Sequence, residues 1–230
     1  MWALDEPYRA TVRPFVAGTP WRIFGLVAVV LGVAVAATQL GHPFAPGLTS
    51  AASWSAQAAL ACTAVAWARV DDPTMPRRAL GLTVRPGRGM VLMAVAIGAG
   101  LGAHLLVTAS RTLGYPIVVD RPGRLLGALV YDVALNVPCA ELFFRGALFN
   151  RAQRRWSLGP ALLGSTLACS VRYLADPALL KIPEVLLGAV VYIVLLSVAN
   201  AWLFWRSGSL VPPLIVSFLF FCAYRTLRVE

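Results

Sequence analysis

The sequence predicts an all-α, polytopic transmembrane helical bundle, and three observations carry that prediction. Of its 230 residues, 59% are hydrophobic and only 13% are charged, about half the charged share of an ordinary soluble domain. Mean hydropathy is +0.73. Residues 23–68, 89–110, 156–171, 185–205 and 207–224 contain no Asp, Glu, Lys or Arg. A spanning helix needs about 20 mostly apolar residues, so these runs supply most of a bundle. The same figures exclude a disordered chain, a collagen and a soluble domain with a water-facing shell.

Seven spans follow in order, or eight if a surface segment crosses as well. Residues 1–22, with Asp5, Glu6, Arg9, Arg13 and Arg22, read as a cytoplasmic N-terminal tail. Residues 23–69 hold two N-terminal transmembrane helices, at 23–40 and 50–69, separated by the turn residues His42-Pro43 and Pro46-Gly47. The first apolar run is longer than a signal-peptide core, so it reads as an uncleaved span. Residues 70–88 form a polar cytoplasmic loop whose Leu80, Leu82 and Val84 suggest a piece lying on the membrane surface. Residues 89–226 form the membrane core, with spans at 89–110, 125–150, 159–175, 183–205 and 209–226. Gly98, Gly100 and Gly102 in the third span permit close helix contact.

The net charge is +10, almost all of the cations being arginine. In a soluble protein that balance points to nucleic acid. Here the arginines lie between apolar runs, and no basic-aromatic patch or recognition helix accompanies them, so no nucleic-acid partner is expected. Loop cations divide 12 to 7 in favour of the N-terminal side. The positive-inside rule then puts the N-terminus in the cytoplasm. The lipid bilayer is the first partner implied. Cys62, Cys139, Cys169 and Cys222 form no CxxC pair, which argues against a disulfide framework or a zinc knot.

Chemistry concentrates in the span at 125–150, which contains Asp132, Asn136, Pro138, Glu141 and Arg145. A charge inside a spanning helix costs at least about 2.5–3.5 kcal/mol, so such residues are paired or functional. Glu141 and Arg145 are four apart and can pair on one helix face. Asp132 and Asn136 have the same spacing. An ideal helix puts Asp132 and Glu141 on opposite faces, which makes them a poor carboxylate dyad. Asp132 has no cation near it in sequence; it is protonated, open to an aqueous cavity, or paired with Arg172, His104 or Asn200. His104, alone inside a span, reads as a hydrogen-bonded helix contact. With only two histidines in the chain, neither a metal nor any other cofactor is expected.

Ala140-Glu141-Leu142-Phe143-Phe144-Arg145-Gly146 resembles the EExxxRG signature of the CAAX protease and bacteriocin-processing family of intramembrane endopeptidases, also called the abortive-infection family. Arg78-Ala79-Leu80-Gly81-Leu82 looks like that family's lead-in. Ser165-Thr166-Leu167-Ala168-Cys169-Ser170-Val171-Arg172-Tyr173 falls where the family has SSxxFxxxH. Gly208-Ser209-Leu210-Val211-Pro212-Pro213, followed by Ser217, falls where it has GSLxxPxxxHxxxN. Order and spacing agree over roughly residues 77–225. The resemblance implies a CAAX-protease-like bundle and, together with the composition, a bacterial cytoplasmic (inner) membrane. It also implies a mechanism in which a glutamate and a histidine activate water, while a second histidine and an asparagine stabilise the oxyanion.

The sequence departs from that machinery at every position. Ala140 stands at the first glutamate, Tyr173 at the first histidine, Ser217 at the second and Phe221 at the asparagine. Residues 105–230 contain no histidine, so no shift of register restores one. Glu141 and Arg145 survive. The expected function is therefore non-catalytic: a pseudoprotease that binds or stabilises another membrane protein or a membrane-bound peptide. The competing expectation is an active endopeptidase with Glu141 as general base, helped by Tyr173 and Ser217. A weaker one is a small transporter using Asp132.

Overall fold

The structure is a computed structural model and describes residues 46–117, 122–174 and 183–227. The expected tail at 1–22 and first span at 23–40 lie outside the described residues. Helix α1 is Pro46–Asp71, α2 is the single turn Pro76–Ala79, and α3 is Arg88–Thr112. Pro122–Tyr131, Asp132–Asn136, Val137–Glu141, Leu142–Phe149 and Asn150–Arg155 follow without a break and together form α4. Helices α5, α6 and α7 are Leu158–Leu174, Pro183–Ser207 and Val211–Tyr224. Among the described residues the only strand-like pairing is a bridge between Ile117 and Leu227.

Each expected span from the second to the seventh coincides with a helix. Three are long and apolar enough to cross a membrane: Arg88–Thr112, Leu125–Arg154 and Glu184–Ser207. Helix α7 is apolar but has only 14 residues. Helix α5 has 17, and α1 is diluted by Ser53, Ser55 and Gln57. The described helices thus support an all-helical membrane bundle without fixing seven spans.

Helix α4 runs through the middle of the bundle. Its Phe143 and Phe144 pack with Leu60, Ala64 and Trp67 of α1 and with Leu80. Its Val137 joins Leu196, Leu203, Val216 and Phe220 of α6 and α7. Its Phe149 meets Ala161, Phe204 and Leu210. Leu126, Val130 and Val133 in its first half face outward, whereas from Asn136 to Asn150 most side chains are buried, so polar residues there end up inside. Two stretches of α4, Asp132–Asn136 and Leu142–Phe149, are wound as π-helix. The Val137 N–H reaches back to the Asp132 carbonyl, and Pro138, which has no N–H, follows at once. Such wide turns are rare and gather at functional sites. Asp132 and Glu141 serve separate sets of partners, Arg225 and Asn136 for the first and Ser217, Asn200 and Arg145 for the second. Asp132 is 0% exposed and Glu141 6%.

Glycine sets two of the closest approaches. A β-carbon added to Gly98 would stand 2.9 Å from the Val216 Cα, and one on Gly102 would stand 3.0 Å from the Ala223 Cβ. Helices α3 and α7 therefore touch along a small-residue seam. Gly100 differs from the expectation: nothing lies within 4 Å of its would-be β-carbon, because it sits on the outer face of α3. Gly81 has φ +71°, and its β-carbon would meet the Gly208 carbonyl at 2.8 Å. The Leu210 N–H donates to the Gly81 carbonyl at 3.1 Å, and Asn150 Nδ2 donates to the Ala79 carbonyl at 2.6 Å. The lead-in segment is thereby fastened to α4 and to the turn before α7.

Candidate functional site

Glu141 lies between the two π stretches of α4, facing α6 and α7. Its Oε1 accepts hydrogen bonds from Ser217 Oγ and Asn200 Nδ2, both at 2.7 Å. Asn200 Nδ2 also lies 2.6 Å from Ser217 Oγ, closing a triangle. On the other side, Arg145 Nε stands 3.5 Å from Glu141 Oε2. Arg145 Nη2 donates to Ser197 Oγ at 2.8 Å and approaches Cys169 Sγ at 3.8 Å. Ser197 Oγ donates onward to Thr166 Oγ1 at 3.3 Å.

Every member of this network is buried, Arg145 at 1% exposure and Asn200 at 0%. Burying two opposite charges is tolerable only where they pair and hydrogen bonds meet their remaining capacity. Here the pairing is met and the capacity is only partly filled. Glu141 Oε2, Arg145 Nη1 and Asn200 Oδ1 are buried without a hydrogen-bond partner among the described residues. The Leu142–Phe149 π stretch leads Arg145 toward α5 and α6, where Cys169 and Ser197 meet it. The next residue, Gly146, lets the lead-in segment approach α4, since a β-carbon there would stand 3.1 Å from the Leu80 carbonyl.

A second polar cluster surrounds Asp132. Arg225, just beyond the end of α7, grips it through two contacts, Nε to Oδ2 at 2.7 Å and Nη2 to Oδ1 at 3.0 Å. Asn136 Nδ2 donates to Asp132 Oδ1 at 2.9 Å. Asn136 Oδ1 in turn accepts from Gln57 Nε2 at 3.2 Å and from Arg172 Nη2 at 3.5 Å. The expected partners of Asp132 need correcting. Arg172 touches Asn136 instead, Asn200 serves Glu141, and His104 Nδ1 lies 2.6 Å from the Tyr192 hydroxyl. Because the pairing depends on tertiary placement, sequence proximity gives no hint of Arg225.

The positions where the resemblance implies catalytic groups are filled in another way. Ala140 is 2% exposed and packs in the apolar cluster around Phe143. The rings of Tyr173 and Phe221 are 5.7 Å apart, and the Arg172 guanidinium lies 4.6 Å over the Tyr173 ring. An aromatic contact thus joins the positions of the first histidine and the asparagine. Ser217, at the second histidine, is tied to Glu141. Of the residues singled out from sequence, the structure brings Glu141, Arg145 and Ser217 together and keeps Asp132 and Asn136 as a separate pair. His104 stands apart on α3. Sequence reasoning missed Asn200 and Ser197 as partners of the Glu141–Arg145 pair. Their three-residue spacing in an otherwise apolar run matches one helical turn and is the signal that could have found them. No three His, Cys, Asp or Glu side chains among the described residues gather as a metal site.

The fold and the site define a helical membrane protein whose core closes around a glutamate–arginine pair on a π-wound helix. Residues 122–222, a little under half of the chain, match the family described as Type II CAAX prenyl endopeptidase Rce1-like. The match supports the resemblance of the Ala140–Gly146 segment to the CAAX protease and bacteriocin-processing family. No curated protein and no solved structure matches it.

Proposed function

We propose that this chain is a catalytically silent member of its family, a pseudoprotease that holds or stabilises another membrane protein or a membrane-bound peptide. One observation carries the reading. The sole carboxylate left in the signature, Glu141, has one oxygen engaged by Ser217 and Asn200 and the other facing Arg145, all of them buried. A general base must reach a water and pass on its proton. Glu141 is instead tied to Ser217, Asn200 and Arg145, and the residue before it, Ala140, carries no proton-transfer group. Phe221 offers no hydrogen bond to an oxyanion. Loss of a single oxyanion donor costs about 10²–10³ in rate, and here the base position is lost as well.

The second reading, an active endopeptidase, draws on one contact. Ser217 Oγ donates to Glu141 at 2.7 Å, the pairing by which a carboxylate activates a hydroxyl. The transporter reading loses its motive, since Asp132 is engaged by Arg225. Quantitative membrane proteomics separates the first two. A partner held by a scaffold falls in abundance when the chain is deleted, and wild type and Glu141→Gln, compared at equal membrane level, restore it equally. Restoration by wild type alone, with the variant present at the same level in the membrane, favours the enzyme.

A further inference from the structure

The segment joining α1 to α3 carries a charge pattern that neither the fold nor the polar core uses. Arg69, Arg77, Arg85 and Arg88 are all exposed. The two acids beside them are engaged within the protein. Asp71 Oδ1 stands 3.4 Å from Arg151 Nη2. Asp72 Oδ1 accepts from the Thr74 N–H at 3.2 Å, the Thr74 hydroxyl at 2.7 Å and the Met75 N–H at 3.0 Å. Apolar side chains are interleaved with the arginines and point outward as well: Val70 is 72% exposed, Met75 55% and Leu82 50%. The backbone between them is anchored, with Ala79 and Leu80 buried and Gly81 bonded to Leu210. Beside that anchor, at the end of α6, the Arg206 guanidinium lies 5.7 Å over the Trp202 ring and 5.8 Å from that of Trp205.

We propose that this surface binds the headgroups of anionic phospholipids. Arg77, Arg85 and Arg88 engage the phosphates, and Met75 and Leu82 enter the boundary between headgroup and acyl chain. Guanidinium forks match phosphate oxygens in pairs. A fixed segment with alternating basic and apolar exposure has the composition of an element that lies in a charged interface. An acidic protein surface would meet the arginines but has no use for the interleaved apolar side chains. The attraction of a negative leaflet corresponds to about five-fold in partitioning per arginine.

The full chain is reconstituted in nanodiscs containing equal parts phosphatidylcholine and phosphatidylglycerol, then extracted with mild detergent, and its retained lipids are quantified by mass spectrometry. The wild type retains phosphatidylglycerol over phosphatidylcholine, and sodium chloride weakens the preference. Arg77→Gln/Arg85→Gln/Arg88→Gln loses it, by about five-fold per arginine. Arg111→Gln, an exposed arginine at the other end of α3, keeps it. Each single substitution is read in the same way, so a folding defect in the triple variant leaves the test intact. Equal retention of both lipids by the wild type overturns the proposal. So does an unchanged preference in the arginine variants, or an equal loss in Arg111→Gln. A salt-insensitive preference would also overturn it.

Discussion

Ser217 donates its hydroxyl to the Glu141 carboxylate at 2.7 Å, across 76 residues of chain and from α7 to α4. A buried serine that satisfies a buried carboxylate is a structural device first, because an unsatisfied oxygen there costs about 1–3 kcal/mol. Ser217→Ala is therefore expected to destabilise the protein by about that amount. Asn200→Ala should cost a similar amount. The double variant should deviate from additivity, because both groups serve the same oxygen. Thermal unfolding of the four proteins in one detergent checks this. Strict additivity would contradict the shared-oxygen geometry.

The Glu141–Arg145 pair gives a sharper contrast. Removing one partner of a buried pair leaves a bare charge and costs about 3–5 kcal/mol, whereas replacing both with apolar groups of similar volume is far milder. Arg145→Met alone is expected to lower stability severely, and Glu141→Leu/Arg145→Met to recover much of the loss. Midpoints from the same thermal assay decide it. A double variant as unstable as the single would mean that the pair is not the reason Arg145 matters.

Asp132 and Arg225 form a second, partly exposed pair. The Arg225 side chain is 32% exposed and that of Asp132 0%, so solvent screening reduces the loss below that for a fully buried pair. Arg225→Ala should cost about 2 kcal/mol, and Asp132→Asn in that background should recover part of it. If Asp132→Asn worsens the Arg225→Ala protein, Asp132 has another cationic partner.

Glycine substitutions test the packing directly. Gly81→Ala places a β-carbon 2.8 Å from the Gly208 carbonyl at φ +71°, and a non-glycine residue there is strained as well as crowded. Expression and thermal stability should fall. Gly100→Ala meets nothing within 4 Å and should be neutral or slightly stabilising, since alanine is the better helix former. Equal effects at the two sites would contradict the described contacts.

Asp71, in the polar segment after the expected second span, gives a pH dependence. Burial pushes its carboxyl above the usual range, with Arg151 and Arg154 pulling it partly back. A carboxyl whose folded pKa exceeds its unfolded value binds protons more readily when folded. Its stabilising contribution is therefore full below about pH 4 and fades as pH rises through the raised value. Asp71→Asn should flatten that part of the stability profile relative to wild type. A difference with the opposite slope would show that the Arg151 contact dominates.

Composition and the charge-free runs made the helical membrane class legible, because insertion into lipid constrains whole segments. The Glu141–Arg145 pairing was legible too, since residues four apart meet on any helix. The Asp132–Arg225 grip was not, because no local rule relates side chains 93 residues apart. The π-winding of α4 was equally hidden. It rests on backbone hydrogen bonds one residue longer than those of an α-helix, such as the Val137 N–H to the Asp132 carbonyl, which no side-chain pattern in the segment announces. Gly98, Gly100 and Gly102 looked equivalent in sequence, yet only the first and third meet α7. Seam glycines can be told from outer ones only once the partner helix is placed.

Under the proposed function Glu141 anchors the fold and moves no proton. This is tested most directly by mapping new protein termini in native membranes from wild type, a deletion strain and Glu141→Gln at matched membrane levels. Identical termini in all three are the predicted result. A cleavage product present in wild type and absent from both others would contradict it and make Glu141 the base of an active endopeptidase.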